Sequence, residues 1–187
     1  MKIRYYNDDF PYIIIDDVYT EKECEMILAD YDRINEKGKL LSPDYTGAAR
    51  DTDGEFIKNG KAAFWGDSID QNDFTESGIF HKVFNDQIRT NYGTSSKIIA
   101  GHSNWFFREH KYEKMNVLLS YYENDDYYKE HCDIAFITCL TWHYKLPKKF
   151  QGGNFRFTKN NIEIESKYNR MLISVSYTHL RAHETVV

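Results

Sequence analysis

The sequence predicts an α+β fold, a β-sandwich backed by N-terminal helices. Three observations predict it. With 187 residues, 41% hydrophobic and 16% aromatic, the chain suits one domain with a real core. A capped amphipathic helix stands near its start. From about Ile98 onward, short runs rich in Val, Ile, Thr, Tyr and Phe alternate with turn residues, as in a sandwich or barrel.

The elements follow in chain order. Pro11 to Val18 carries the apolar run Ile13-Ile14-Ile15 and reads as a buried strand. Thr20-Glu21-Lys22-Glu23 has the form of a capping box. Behind it Cys24, Ile27, Leu28, Tyr31 and Ile34 recur at helical spacing, and Gly38 supplies a stop. Residues 39 to 73 are rich in Gly, Asp, Asn and Lys and read as loop, with one short strand around Ala62 to Trp65. A second helix is predicted from Gly78 to Tyr92, with Ile79, Phe80, Val83, Phe84 and Ile88 on one side. Strands are then expected near Asn104–Arg108, Met115–Tyr122, Tyr127–His131, Ala135–Tyr144, Asn154–Thr158, Ile162–Ser166 and Arg170–Ser174.

Composition narrows the function classes. No apolar run approaches membrane-spanning length, so no membrane helix is expected. The opening residues Met1 to Phe10 are polar and acidic where a signal peptide would be apolar. Three cysteines, none at CxxC spacing, point away from a disulfide framework and from a cysteine-type zinc site. A reducing cytoplasm is the expected location. The net charge of −5 argues against a general nucleic-acid binder.

The chemistry centres on His131-Cys132-Asp133. On an extended chain, residues i and i+2 project to the same side, so this imidazole and carboxylate can share one metal ion. With a remote second His they would complete a two-His-one-carboxylate triad, which leaves open positions on iron. The bare pattern is weak, arising about 0.6 times by chance in a chain of this composition. A hydrogen-bonded structural histidine is the plainer alternative for His131.

Context adds to the pattern. Tyr122 precedes His131 by nine residues, a strand Ala135 to Trp142 follows, and Gly152-Gly153 opens the next strand. Asn169-Arg170 stands before the last apolar run. This order resembles the 2-oxoglutarate and Fe(II)-dependent oxygenases of the prolyl 4-hydroxylase-like branch. The N-terminal strand and capped helix resemble that family too, so the similarity covers most of residues 11 to 174.

The resemblance implies a double-stranded β-helix (jelly roll) with supporting N-terminal helices, using Fe(II), 2-oxoglutarate and O2. His131 and Asp133 match the first two iron ligands. Tyr122 matches a tyrosine that donates to the far carboxylate of 2-oxoglutarate, which a phenol is able to do. Thr138 matches a position in the wall of the cosubstrate pocket, and Tyr128 an aromatic near the substrate entrance. A core tyrosine is the alternative for Tyr122, and an ordinary strand aromatic for Tyr128. Gly152-Gly153 reads as a structural turn and Arg170 as a structural ion pair or edge residue. His81, His102, His110 and His143 have no partner at ligand spacing.

The family pattern also requires a third ligand, a His downstream of Arg170, and beyond it a basic residue to pair with the cosubstrate carboxylate. Residues 175 to 185 instead read Val-Ser-Tyr-Thr-His-Leu-Arg-Ala-His-Glu-Thr. That string resembles, residue for residue, the translation of a transposase adapter used in sequencing libraries. The expected organisation is therefore one oxygenase domain over 1 to 174, with helical and loop support over about 1–97 and a jelly-roll core over about 98–174. Residues 175 to 187 are expected to be a non-native tail, to be left out of fold reasoning. His179 is the available third ligand, but its spacing from Arg170 is one residue short, which along a strand turns a side chain to the other face. Arg181 is too close to His179 to match the carboxylate anchor.

The expected activity is hydroxylation of a peptidyl or amino-acid side chain, crippled in this chain by its C-terminus. Two alternatives stay open. One is the same chemistry on a nucleobase or small metabolite. The other is a jelly-roll binding module without catalysis, against which the survival of both His131 and Asp133 speaks.

Overall fold

A computed structural model describes residues 1–7, 10–46, 50–64, 97–109, 118–133 and 135–175, with the backbone of 180–182 and 185–186. Strand β1 (Lys2–Tyr6) and strand β2 (Tyr12–Asp16) form an antiparallel hairpin. Every residue of β2 is buried, as its unbroken apolar run requires. Strand β1 was not expected from the polar opening. It lies on the edge of its sheet, where one side chain in two can face water.

Helix α1 (Glu21–Glu36) begins and ends on local chemistry. Thr20 accepts from the Glu23 amide, and Glu23 reaches back to the Thr20 amide at 2.8 Å, so both halves of the capping box are made. At the other end Gly38 adopts a φ of 65°, its amide donates to Asn35 O and the Lys39 amide donates to Ile34 O. These two bonds make a Schellman stop. Cys24 and Ile27 of α1 join the same core as β2.

Helix α2 (Pro43–Thr46) interrupts the long polar segment, and strand β3 (Lys61–Phe64) lies where a short strand was expected. The helix expected from Gly78 to Tyr92 lies outside the described residues. Helix α3 (Lys97–Ala100) and helix α4 (Trp105–Glu109) follow. Helix α4 replaces the strand predicted at Asn104–Arg108. Its aromatic run favours strands, but Asn104 Oδ1 accepts from the Phe106 amide at 2.9 Å, as an N-cap side chain does.

The remaining predicted strands form as β4 (Leu118–Tyr121), β5 (Tyr128–His131), β6 (Ile137–Thr141), β8 (Phe155–Phe157), β9 (Ile162–Ile164) and β10 (Arg170–Val175), the last one residue longer than expected; residues 115 to 117 of the first predicted strand lie outside the described residues. A two-residue strand, β7 (Gln151–Gly152), precedes β8, and β11 (Leu180–Ala182) and β12 (Thr185–Val186) come last. All described pairings are antiparallel. One sheet has the order β1-β2-β10-β6, the other β5-β11-β8-β9, with pairs β12-β7 and β3-β4 beside them. The inner faces meet where Phe157 of β8 touches Tyr12 and Phe10, within a core that also takes Met171, Leu172 and Ile173 of β10.

Two features close the first sheet. Asp17 and Asn169 both take a positive φ, and the Asn169 side chain accepts from the Tyr19 amide at 2.9 Å and donates to Tyr19 O at 2.8 Å. Arg170 grips Asp16 through Nε at 2.6 Å. The Asn-Arg pair therefore clasps the end of β2 to the start of β10. Gly152 and Gly153, at φ of 80° and 72°, turn the chain into β8, in the manner expected of a structural glycine pair.

Part of the adapter-like tail lies beside the sheets. The backbone of β11 pairs with both β5 and β8, and that of β12 pairs with β7. Ladder bonds are made by amides and carbonyls that every residue carries, so an unpaired strand edge accepts a partner with little regard to its side chains. Among the described residues, no helix is long and apolar enough to cross a membrane.

Candidate functional site

His131 is the last residue of β5, and Asp133 lies in the turn that leads to β6. The imidazole Nδ1 sits 2.9 Å from Lys129 O. A carbonyl only accepts, so Nδ1 carries a proton, and the bond turns Nε2 toward Asp133. Nε2 lies 3.4 Å from Asp133 Oδ1. The other carboxylate oxygen, Oδ2, accepts a 2.6 Å bond from Thr138 Oγ1. Burial alone would raise the Asp133 carboxyl, but the bonds from His131 and Thr138 outweigh it and hold the group below its ordinary value. The structure thus brings His131, Asp133 and Thr138 together.

Tyr128 joins them through an irregularity. Leu180 stands opposite His131 and Ala182 opposite Tyr128, so three steps along β5 match two along β11. This is a β-bulge, and it cancels the alternation that would put Tyr128 and His131 on opposite faces. Their rings stack at 3.8 Å between centroids with planes 8° apart. Burial, with the Asp133 charge adding to it, pushes the Tyr128 phenol up to about 12.

Tyr122 lies just beyond β4 and is connected to Tyr128 through Lys58. The Lys58 side chain is buried, donates from Nζ to Ser120 Oγ at 2.8 Å, and lies 5.4 Å from the Tyr122 ring and 5.5 Å from the Tyr128 ring. Burial lowers the Lys58 ammonium to about 8, against a partial opposing pull from Asp126. Burial also lifts the Tyr122 phenol well above its ordinary value. Gly60 lets this group close up. A Cβ there would stand 2.9 Å from Tyr121 O and 3.0 Å from the Tyr122 ring.

Sequence reasoning missed Lys58. It sits in a Gly-, Asn- and Lys-rich stretch that reads as solvated loop, and only its bridge to Tyr128 in the tertiary fold buries it. No local signal marks it.

His179, the available third ligand, lies outside the described residues. Among the described residues, no three His, Cys, Asp or Glu side chains gather as a metal site. His102 is a buried structural residue, with Nε2 2.8 Å from Tyr6 O and Nδ1 accepting from the Asn104 amide. His143 is packed against Tyr19 and Tyr168, and burial lowers its imidazole to about 4. His81 and His110 lie outside the described residues.

The fold has known relatives in shape. A prolyl-4-hydroxylase from Pseudomonas putida superposes with a TM-score of 0.60 at 12% identity, covering 96% of this chain and 88% of that one. The viral collagen prolyl hydroxylase vCPH of Paramecium Bursaria Chlorella virus-1, in its 2OG complex, superposes with a TM-score of 0.52 at 14% identity, covering 94% and 88%. At these identities the likeness is one of fold. No family model and no curated protein matches the sequence.

Proposed function

We propose that residues 1 to 174 form the greater part of an Fe(II)- and 2-oxoglutarate-dependent dioxygenase domain of double-stranded β-helix type, whose substrate is a peptidyl or amino-acid side chain. The observation that carries this reading is the approach of His131 Nε2 to Asp133 Oδ1, 3.4 Å apart at a strand end, in a prolyl-hydroxylase-like fold. An imidazole nitrogen and a carboxylate oxygen brought together in this way fit a non-haem iron site. When bound, the iron would supply oxygen activation coupled to decarboxylation of 2-oxoglutarate to succinate and CO2.

The chain's own residues orient and hold. The bond to Lys129 O fixes the His131 tautomer, and the Tyr128 stack fixes its ring plane. Thr138 engages Asp133 Oδ2 and leaves Oδ1 turned to His131. The Tyr122 phenol is suited to donate to the far carboxylate of the cosubstrate, and Tyr128 to border the substrate. Residues 175 to 187 resemble translated adapter, so the third ligand of the parent enzyme is sought in the gene beyond the codon for Ser174. This chain is then a poor catalyst, even though its tail backbone pairs with the sheet.

The test is anaerobic Fe(II) titration and succinate release, measured on this chain beside one with its native tail restored. The restored chain turns over 2-oxoglutarate and Asp133→Ala abolishes that. Full succinate production by Asp133→Ala would place the metal elsewhere. Equal iron affinity and turnover in the two tails would refute the reading of residues 175 to 187.

A further inference from the structure

His143 stands where three segments meet. It follows β6, and its ring lies edge-on to two tyrosines. Tyr19, just before the N-cap of α1, is 5.3 Å away between centroids with planes 66° apart. Tyr168, in the turn before β10, is 6.5 Å away at 81°. Hydrogen bonds tie the same segments together. The Asn169 amide donates to Trp142 O, and the Trp142 amide donates to Arg170 O. The Asn169 side chain holds Tyr19 at both its amide and its carbonyl. The Tyr144 hydroxyl accepts from the Tyr168 amide at 2.8 Å. The start of α1, the end of β6 and the start of β10 therefore share one joint, and the His143 ring fills it.

This joint accepts a ring and offers nothing to an imidazole's nitrogens. Part of the residue's surface is exposed, but both ring nitrogens are sealed from solvent. Neither has a hydrogen-bond partner among the described residues. A neutral imidazole carries one donor and one acceptor, so two polar groups are buried unsatisfied, each at a cost. A phenyl ring would fill the same space without that cost. What histidine adds is a charge that acid can create. The groups around it do not compensate such a charge. Burial pushes up the phenols of Tyr19 and Tyr168 and the thiols of Cys24 on α1 and Cys139 on β6, so all four are neutral. Glu21, Glu23 and Glu25 of α1 act on the two phenols, and Glu165 and Arg170 act on Tyr144. Arg170 is itself engaged by Asp16. None of them acts on His143, where burial alone lowers the imidazole to about 4.

We propose that His143 is an acid-operated latch between α1 and the sheet: protonation drives the imidazolium out from between Tyr19 and Tyr168 toward water, and the first turn of α1 comes free of β6 and β10. The direction with pH follows from the closed joint disfavouring the charged ring. The ordinary imidazole value of 6.5 applies once the joint opens and lies above the value in the closed joint. Closure is therefore fully favoured above about pH 6.5 and weakens by up to tenfold per pH unit as pH falls toward the closed value. Between pH 7 and pH 5 the closing equilibrium falls about twentyfold. The latch does not rest on the dioxygenase reading. Asp133 and Thr138 lie at the opening of β6, and His143 lies beyond its other end.

The test compares the chain with its His143→Phe variant, which keeps a ring in the joint and cannot titrate. Amide hydrogen exchange is followed by NMR at pH 7 and pH 5, each pH comparing the two proteins directly. At pH 7 the variant protects the amides of Glu23 and Cys24 at least as well as the wild type does. At pH 5 the wild type exposes those amides about twentyfold more often than the variant, while the amides of Ile13 to Ile15 in β2 exchange alike in both. Equal exchange at Glu23 and Cys24 in the two proteins at pH 5 would overturn the latch. So would a difference spread evenly over α1 and β2, which marks unfolding of the whole domain. A second measurement needs no variant: the ring proton of His143 in the wild type titrates with a midpoint below about pH 5. A midpoint of 6 or above would mean that the joint accommodates the imidazolium, and the proposal would fail even if His143→Phe did not fold.

Discussion

Replacing Asp16 by Asn should cost the fold about 3 kcal/mol near neutral pH. Asp16 ends β2, and its side chain is 5% exposed. Arg170 Nε lies 2.6 Å from Oδ1 and Arg170 Nη2 3.2 Å from Oδ2, a two-pronged grip across the strand pair β2-β10. Arg4 adds a 2.8 Å contact from β1, and Lys167 one at 3.4 Å. The last two side chains are 40% and 43% exposed, so water screens them and they add little. The weight falls on Arg170, which is 11% exposed and loses its buried charged partner in the variant, keeping only the exposed Glu165 at 3.7 Å. At about 2–4 °C per kcal/mol for a chain of this size, the melting temperature should drop by roughly 6–12 °C. The Arg170 and Arg4 bonds hold the Asp16 carboxyl well below the usual carboxylate range. A depressed folded value means the stabilisation is complete above the unfolded value of about 3.9 and is lost as pH falls toward the folded one. Urea denaturation of both proteins, followed by circular dichroism from pH 7 to pH 3, reads this directly. The gap between them should be constant above about pH 5 and narrow below about pH 4. A gap under about 1 kcal/mol at pH 7, or one that stays the same at pH 3, would refute the reasoning.

Three further outcomes follow from the site. Thr138→Val removes the 2.6 Å bond to Asp133 and should weaken Fe(II) binding about ten- to a hundredfold in the chain with its tail restored; unchanged iron affinity would mean that Thr138 does not position Asp133. Tyr122→Phe should leave iron affinity alone and weaken 2-oxoglutarate by about 1.5–3 kcal/mol, seen as a raised Kd, and an unchanged Kd would return Tyr122 to the role of a core tyrosine. Gly60→Ala pushes a methyl to 2.9 Å from Tyr121 O and 3.0 Å from the Tyr122 ring, and should cost about 1–3 kcal/mol in urea denaturation. Equal stability there would show that the Tyr122 ring gives way freely.

The parts of this protein legible in its sequence are those whose causes are local. Helix α1 can be read from Thr20, Glu23 and Gly38 because a capping box and a Schellman stop are each closed within a few residues. Strands β2 and β10 can be read from their apolar runs, since strands buried on both faces need no alternation. His131 and Asp133 can be paired from i, i+2 spacing alone. Other features depend on residues far apart in the chain. Strand β1 exists because β2 offers it an edge. The bulge that stacks Tyr128 on His131 is set by pairing with β11, roughly fifty residues downstream, where backbone groups decide the register. Lys58 is buried only because Ile57 to Asn59 run beside Tyr127 to Lys129. Burial and register are properties of a neighbour's position, and a periodicity read along one segment contains no information about which distant segment will lie against it.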